Sequence, residues 1–158
     1  GGGNIDQQLL DVLERRPYQW WGPRAFGAKT KRPQEGFYGP KAVVINESCG
    51  SNAEMFPDGF RRLGLGKLIG AKTQGAVIGT GSYSLMDGSR IRMPSVGVYT
   101  KTGEVMENYG VEPDIAVQNT PEDDLVDRDR QLERAVCELL EEIGEKKEEG
   151  KEEAEKKE

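Results

Sequence analysis

Two hydrophobic rhythms organise this chain, and they meet at one place. Ala42 to Ile45 is a short, unbroken apolar run ending in Val-Val-Ile, the β-branched kind of run that a strand buried on both faces requires. It passes through Asn46 and Glu47 into a tight Ser-Cys-Gly turn, after which Phe56, Phe60 and Leu63 recur at helical spacing. The pattern predicts a strand, a turn and a helix over Asn52 to Leu63, with Pro57 producing a kink or a late restart. Gly64 and Gly66 end that helix, and Lys67 to Ile69 forms the next strand. Strand, helix and strand with short joints make a parallel βαβ step.

Elsewhere the rhythms are weaker. Asn4 or Asp6 is placed to cap a first helix with Ile5, Leu9, Leu10 and Leu13 on its apolar face, ending before Pro17. Tyr18 to Pro40 sets Trp20, Trp21, Phe26, Phe37 and Tyr38 among Gly and Pro, an irregular segment that either lines a cleft or a subunit contact or packs its Trp pair into the core. Gly70 to Gly81 is glycine-rich and crosses near the central turn. Ser82 to Met86 and Arg90 to Met93 flank an Asp-Gly turn, and Val96 to Thr100 and Glu104 to Glu107 make a second hairpin. Ile115 to Val117 is a last strand, and Thr120-Pro121-Glu122 a helix start. Over Arg128 to Ile143 a single stripe of Leu132, Ala135, Val136, Leu139, Leu140 and Ile143 predicts a long C-terminal helix.

Composition narrows the function. Glu141 to Glu158 holds nine Glu and five Lys and so carries −4 of the net charge of −6. The body is close to neutral, and no basic patch points to nucleic acid. No apolar run approaches membrane-spanning length and no signal peptide opens the chain. Cys49 and Cys137 are too few for a disulfide framework, so a reducing cytoplasm is the default. There is no histidine, hence no imidazole base and no His-ligated metal from this chain, and no cofactor is called for. The opening Gly1-Gly2-Gly3, without Met or a leading strand, reads as the C-terminal part of something longer.

Ser51 falls where the central strand ends and its helix begins. Free backbone N–H groups and the helix dipole favour negative charge there, and a nucleophile that passes through an oxyanion gains from that position. The plain alternative is that Ser51-Asn52-Ala53-Glu54 is S-x-x-E, a capping box. The glycine triplet ahead of the first helix is equally an oxyanion cradle or a flexible terminus.

The order G-G-G, V-V-I-N-E-S-C-G-S-N-A-E, G-A-K-T-Q-G and E-N-Y-G-V-E-P-D resembles the tail-specific and tricorn serine peptidases, over Gly1 to about Ile143. In the tail-specific branch a lysine base follows the nucleophile by twenty-five residues, and that count from Ser51 reaches Ala76. The nearby Lys72 belongs to the G-x-K-T element instead. The tricorn branch uses a Ser-His-Ser-Glu tetrad whose histidine and second serine lie upstream, and Phe60 to Gly70 also looks like tricorn homologues. The resemblance implies Ser51 as nucleophile and Glu107 as the carboxylate acting through the upstream serine. It implies an oxyanion hole from the Asn52 N–H and one N–H of Gly1, Gly2 or Gly3. The implied fold is the C-terminal part of an α/β, crotonase-like spiral (ββα) peptidase core over residues 1–143. Residues 144–158 follow as a charged tail, disordered or a solvated, frayed helix. Trimers or hexamers acting on short peptides in the cytoplasm are implied as well. For Glu107 the alternative is an exposed hairpin carboxylate, while Asp114 caps or stabilises the E-P-D turn.

Three classes of function compete. The first is the nucleophile-bearing lobe of a serine endopeptidase whose histidine comes from upstream. The second is a peptide-binding or assembly module that keeps the fold but lacks the base. The third is a cysteine nucleophile at Cys49, set off the helix N-terminus and without a base. Removing Gly144 to Glu158 is expected to leave melting temperature and oligomeric state almost unchanged, because that segment has no apolar face to bury. Thermal unfolding and sedimentation of the truncated chain check this, and a clear loss of assembly contradicts it.

Overall fold

The central apolar run forms the strand expected of it, β3 (Ala42–Ile45), and leads through the Cys49-Gly50-Ser51 turn into α2 (Asn52–Arg62). The computed structural model describes the backbone of residues 1–155 and the side chains of residues 1–145. Helix α2 runs unbroken through Pro57, whose ring is fully buried, so the expected restart does not occur. It ends on Gly64, at φ +65°, with the Leu65 N–H donating to the Phe60 carbonyl at 3.1 Å and the Gly64 N–H to the Arg61 carbonyl at 2.9 Å. That pair of bonds is a Schellman closure, which favours glycine because the left-handed backbone carries no Cβ penalty. The chain then returns as β4 (Lys67–Gly70), parallel to β3 with Val43 opposite Leu68 and Val44 opposite Ile69. Short β7 (Ile115–Ala116) adds to β4, also parallel, giving the sheet order β3-β4-β7.

The core lies between this sheet and α2, where Ile45, Phe60, Leu68, Val77, Met106 and Val111 are buried together. Helix α1 (Asp6–Leu13) packs on α2 and contributes Leu10 and Leu13. Neither Asn4 nor Asp6 caps α1. The N-cap position is Ile5, and the side chain of Asn52, far along the chain, accepts from the Ile5 and Asp6 N–H groups at 3.0 and 3.1 Å. On the other face of the sheet α4 (Arg130–Glu155) crosses β3 and β4. Of its expected stripe, Ala135 is buried and Leu139 half-buried, while Leu132, Val136, Leu140 and Ile143 face outward. Helix α4 continues past Gly144, and the end of the expected tail, 156–158, lies outside the described residues.

Three expectations change in detail. The aromatic segment forms a small hairpin, β1 (Gln19–Trp21) with β2 (Thr30–Arg32), and its Trp pair is exposed rather than packed into the core. Lys31 and Arg32 cover the Trp20 and Trp21 rings, a cation–π contact that tolerates water. The first expected hairpin is longer than predicted, β5 (Ile78–Ser84) with β6 (Arg90–Gly97), and carries a bulge at Gly79/Thr80. The second reduces to one bridge, Tyr99 to Val105. Thr120 caps the short α3 (Pro121–Asp124) as its sequence predicts. No helix among the described residues is long and apolar enough to cross a membrane.

The close approach of β3 to β4 generates a prediction. A Cβ at Gly66 would stand 1.9 Å from the Lys41 carbonyl oxygen, a backbone atom that cannot swing aside. Gly66→Ala is expected to cost about 2–3 kcal/mol. Gly144→Ala, on α4 with nothing within 4 Å of the new methyl, is expected to stabilise by up to about 1 kcal/mol. Urea denaturation of both variants checks the contrast; equal midpoints contradict it.

Candidate active site

Ser51 occupies a backbone conformation that an L-residue avoids, φ +57° and ψ −122°. A non-glycine residue there stores roughly 1–3 kcal/mol of strain, and the surrounding hydrogen bonds have to hold it. They do so from two sides. The Ser51 N–H donates to the Ala76 carbonyl at 2.8 Å and to Glu54 Oε2 at 3.1 Å. The Ser51 carbonyl accepts from the Glu54 and Met55 N–H groups, so the first turn of α2 is closed by backbone. Ser51 and Glu54 stand as the capping box their spacing predicts, the Ser51 side chain toward the Glu54 N–H and the Glu54 carboxylate on the Ser51 N–H, although the hydroxyl closes no hydrogen bond of full geometry there.

Glu54 is the residue that sequence reasoning missed. Its spacing marks it as the far half of a cap, which it is, and it is also wholly buried at 0% exposure. Its Oε1 accepts from the Thr73 hydroxyl at 2.5 Å and the Gly75 N–H at 2.7 Å, and its Oε2 from the Ala76 N–H at 2.9 Å and from Ser51. Four donors surround a carboxylate that no cation among the described residues touches. The available signal was the pairing of S-x-x-E with the threonine of G-x-K-T-Q-G, which needs a buried acceptor for its own hydroxyl hydrogen.

Glu107 reaches the end of that loop from a separate segment between β6 and β7. Its Oε2 accepts from the Val77 N–H at 2.7 Å, and the side chain is half-buried rather than an exposed hairpin carboxylate. Asn108, at φ +68°, donates its N–H to the Gly75 carbonyl at 2.7 Å. Ser51 therefore holds the carbonyl, and Glu107 the N–H, of a single peptide unit between Ala76 and Val77. Two residues more than fifty positions apart are registered to one rigid group. Ala76, at the lysine position of the tail-specific pattern, is exposed beside this turn.

Asn52 does two things at once. Its side chain is 5% exposed, donates to Asp6 Oδ1 at 2.6 Å and clamps the start of α1, which draws the glycines to Ser51. A Cβ on Gly2 would lie 3.3 Å from Ser51 Cβ and 3.5 Å from its Oγ, so only glycine leaves that approach open. At Gly1 an added Cβ meets nothing within 4 Å, and the close contact belongs to Gly2. The Asn52 backbone N–H, first in α2, has no acceptor among the described residues. Together these provide a hydroxyl with a free N–H and a backbone strip beside it.

The other candidates sit elsewhere. Cys49 is half-buried, its thiol against the Asn46 N–H and side-chain oxygen at 3.5 and 3.6 Å. Lys72 pairs with Glu112 at 2.7 Å on the surface. Asp114 accepts from the Leu68 N–H at 2.7 Å and lies 3.5 Å from Arg61, so it ties the E-P-D segment to β4 and α2. Among the described residues no group of His, Cys, Asp and Glu is arranged to hold a metal ion.

Comparison with known proteins gives a consistent answer. The model of Peptidase family S41 matches residues 1–117. The tricorn protease of Thermoplasma acidophilum is 34% identical over 145 residues, covering 90% of this chain and 13% of that protein. Tricorn protease homolog 1 of Streptomyces coelicolor is 36% identical over 138 residues, 86% of this chain and 13% of the homolog. The crystal structure of the tricorn protease superposes with a TM-score of 0.84 at 34% identity, over 90% of this chain and 14% of that one. The chain thus spans about an eighth of the length of the curated relatives it matches.

The geometry makes Glu54 testable in this chain alone. In Glu54→Gln one end of the side chain becomes a donor and faces two donors, whichever way the amide is turned. The expected loss is about 2–4 kcal/mol of stability. Chemical denaturation measures it, and a loss under about 0.5 kcal/mol contradicts the four-donor arrangement.

Proposed function

Because the chain belongs to peptidase family S41, we propose that it is the nucleophile-bearing part of a tricorn-like serine endopeptidase acting on short peptides. The observation that carries this reading is Ser51 itself, strained at φ +57° on a strand-to-helix turn. Strain of that size is retained where a nucleophile must be presented.

In the proposed reaction Ser51 Oγ attacks the scissile carbonyl carbon while a base takes its proton. The oxygen becomes an oxyanion and is received by the Asn52 N–H and by an N–H of Gly1 or Gly2. Collapse breaks the C–N bond, and the base returns the proton to the departing amine. Water then attacks the acyl-serine, giving up a proton to the same base and freeing Ser51. The base is a histidine from an upstream segment, since this chain has none. Glu107 acts as a positioning residue, holding that histidine through the upstream serine of the tetrad.

The reading extends to the whole protein. Residues 1–143 form the peptidase part and 144–158 a charged tail. The protein assembles as a trimer or hexamer, works in the cytoplasm, and needs neither nucleic acid nor membrane. The second reading, a peptide-binding or assembly module without chemistry, is favoured by one observation, the lack of histidine together with Ala76 at the lysine position. Turnover separates the two.

The 158-residue chain alone is expected not to cleave peptides, because an unassisted serine hydroxyl is almost wholly protonated at neutral pH. Adding the upstream segment, in cis or trans, is expected to give hydrolysis that rises through the range where histidine titrates. Ser51→Ala and Ser51→Gly abolish it there. The glycine variant is expected to be the more stable of the two by about 1 kcal/mol, since it alone relieves the positive φ. Peptide turnover and denaturation midpoints check these outcomes. Equal turnover with and without the upstream segment overturns the histidine model, and no turnover in either favours the binding module.

A further inference from the structure

The chain separates its charge. Residues 15–41 hold seven Lys and Arg against a single acidic residue, Glu35, and so carry +6 in a chain whose net charge is −6. All the remaining residues together carry −12. The near neutrality of the body therefore conceals a basic island between α1 and β3. Both tryptophans of the chain lie in the same island, on the β1–β2 hairpin.

Little of this positive charge is committed within the fold. Arg15 reaches Glu35 at 3.5 Å, and Lys31 and Arg32 lie 5.5 and 4.0 Å from the centres of the Trp20 and Trp21 rings. Arg16, Arg24 and Lys29 are exposed and meet no carboxylate among the described residues. Elsewhere the carboxylates are already matched, and Asp58, Asp123, Glu133 and Glu138 each hold an Arg or Lys. Arg32 goes further. Its Nη1 donates to Gln34 Oε1 at 3.1 Å, while its Nε is covered and has no acceptor among the described residues. A buried donor without an acceptor costs about 1–3 kcal/mol. A carboxylate laid along the Nε–Nη2 edge of the fork removes that cost with a two-point contact.

Two features favour a short acidic peptide over a nucleic acid or an anionic membrane. The cations lie on the indole faces that a base needs for stacking. The hairpin is also small, three residues per strand, and the acidic remainder of the chain repels any polyanion that extends beyond it. We infer that residues 15–41 form a carboxylate-binding surface that selects peptide substrates rich in Asp and Glu. The inference rests on the proposed function only in calling that peptide a substrate. Helix α1 joins the glycines beside Ser51 to Arg15 and Arg16, and its eight residues span about 12 Å. An extended peptide covers that distance in about four residues.

Trp20 and Trp21 are the only tryptophans of the 158-residue chain, so its fluorescence reports on this surface alone. Titration with an acetylated hexapeptide carrying three consecutive Glu is expected to change that fluorescence. It is expected to saturate about tenfold below the concentration needed for the Gln counterpart, with the difference shrinking as salt is raised. Arg24→Glu combined with Lys29→Glu alters two exposed residues without partners. The pair is expected to abolish the preference and leave the melting temperature unchanged. Arg32→Lys keeps the charge but loses the fork, and is expected to reduce the preference about threefold. In the protein extended upstream the same preference is expected in KM rather than kcat. Equal binding of the two peptides, or a preference that survives the double substitution, overturns the inference. So does binding of an oligothymidylate or of phosphatidylserine vesicles in place of the acidic peptide, or self-association of the chain that the double substitution abolishes. Acidic preference in binding without turnover by the extended protein supports the surface and overturns the peptidase reading; turnover without the preference does the reverse.

Discussion

A single buried carboxylate, Glu54, sets the positions on which the rest of the site depends. Moving a carboxylate out of water without a cation beside it is costly, and the cost is offset only when its lone pairs are filled. Glu54 fills them with one hydroxyl and three backbone N–H groups from two separate segments. The requirement runs in both directions. The loop from Thr73 to Ala76 is irregular backbone whose donors need acceptors, and the first turn of α2 offers this one. Satisfying both at once leaves the loop little freedom relative to Ser51.

From that constraint the remaining geometry follows in short steps. With Ala76 fixed, its carbonyl takes the Ser51 N–H, and the next peptide N–H takes Glu107. Ser51 is thereby held at a positive φ at the start of α2. Asn52 then ties α1 to α2 and brings Gly2 to within van der Waals reach of the Ser51 side chain. Each link is a hydrogen bond or a close contact between segments distant in sequence, so the site is as cooperative as the fold around it.

The parts legible from sequence were those decided locally. The β3-α2-β4 unit rests on an unbroken apolar run, a helical repeat and a glycine stop, all within thirty residues. The order of four motifs singled out Ser51 and Glu107, which share the peptide unit between Ala76 and Val77. What escaped was decided by tertiary partners. Glu54 carries a charge that reads as surface, and only the distant Thr73 and Gly75 make its burial tolerable. The cap of α1 comes from Asn52 and has no local signature. The exposed Trp pair carries Lys31 and Arg32 of the opposite strand over its rings, which hydrophobicity alone cannot express. The outward residues of α4 kept their periodicity while most of the stripe found no partner within residues 1–145.

The most direct test is the mapping of a fluorophosphonate adduct in the upstream-extended protein by mass spectrometry. The reagent phosphorylates an activated hydroxyl and reports the nucleophile without reference to any peptide. The account predicts one adduct, on Ser51, and its loss in Glu54→Gln even where that variant is still folded. An adduct on another residue, or undiminished labelling of Ser51 once Glu54 is changed, contradicts it.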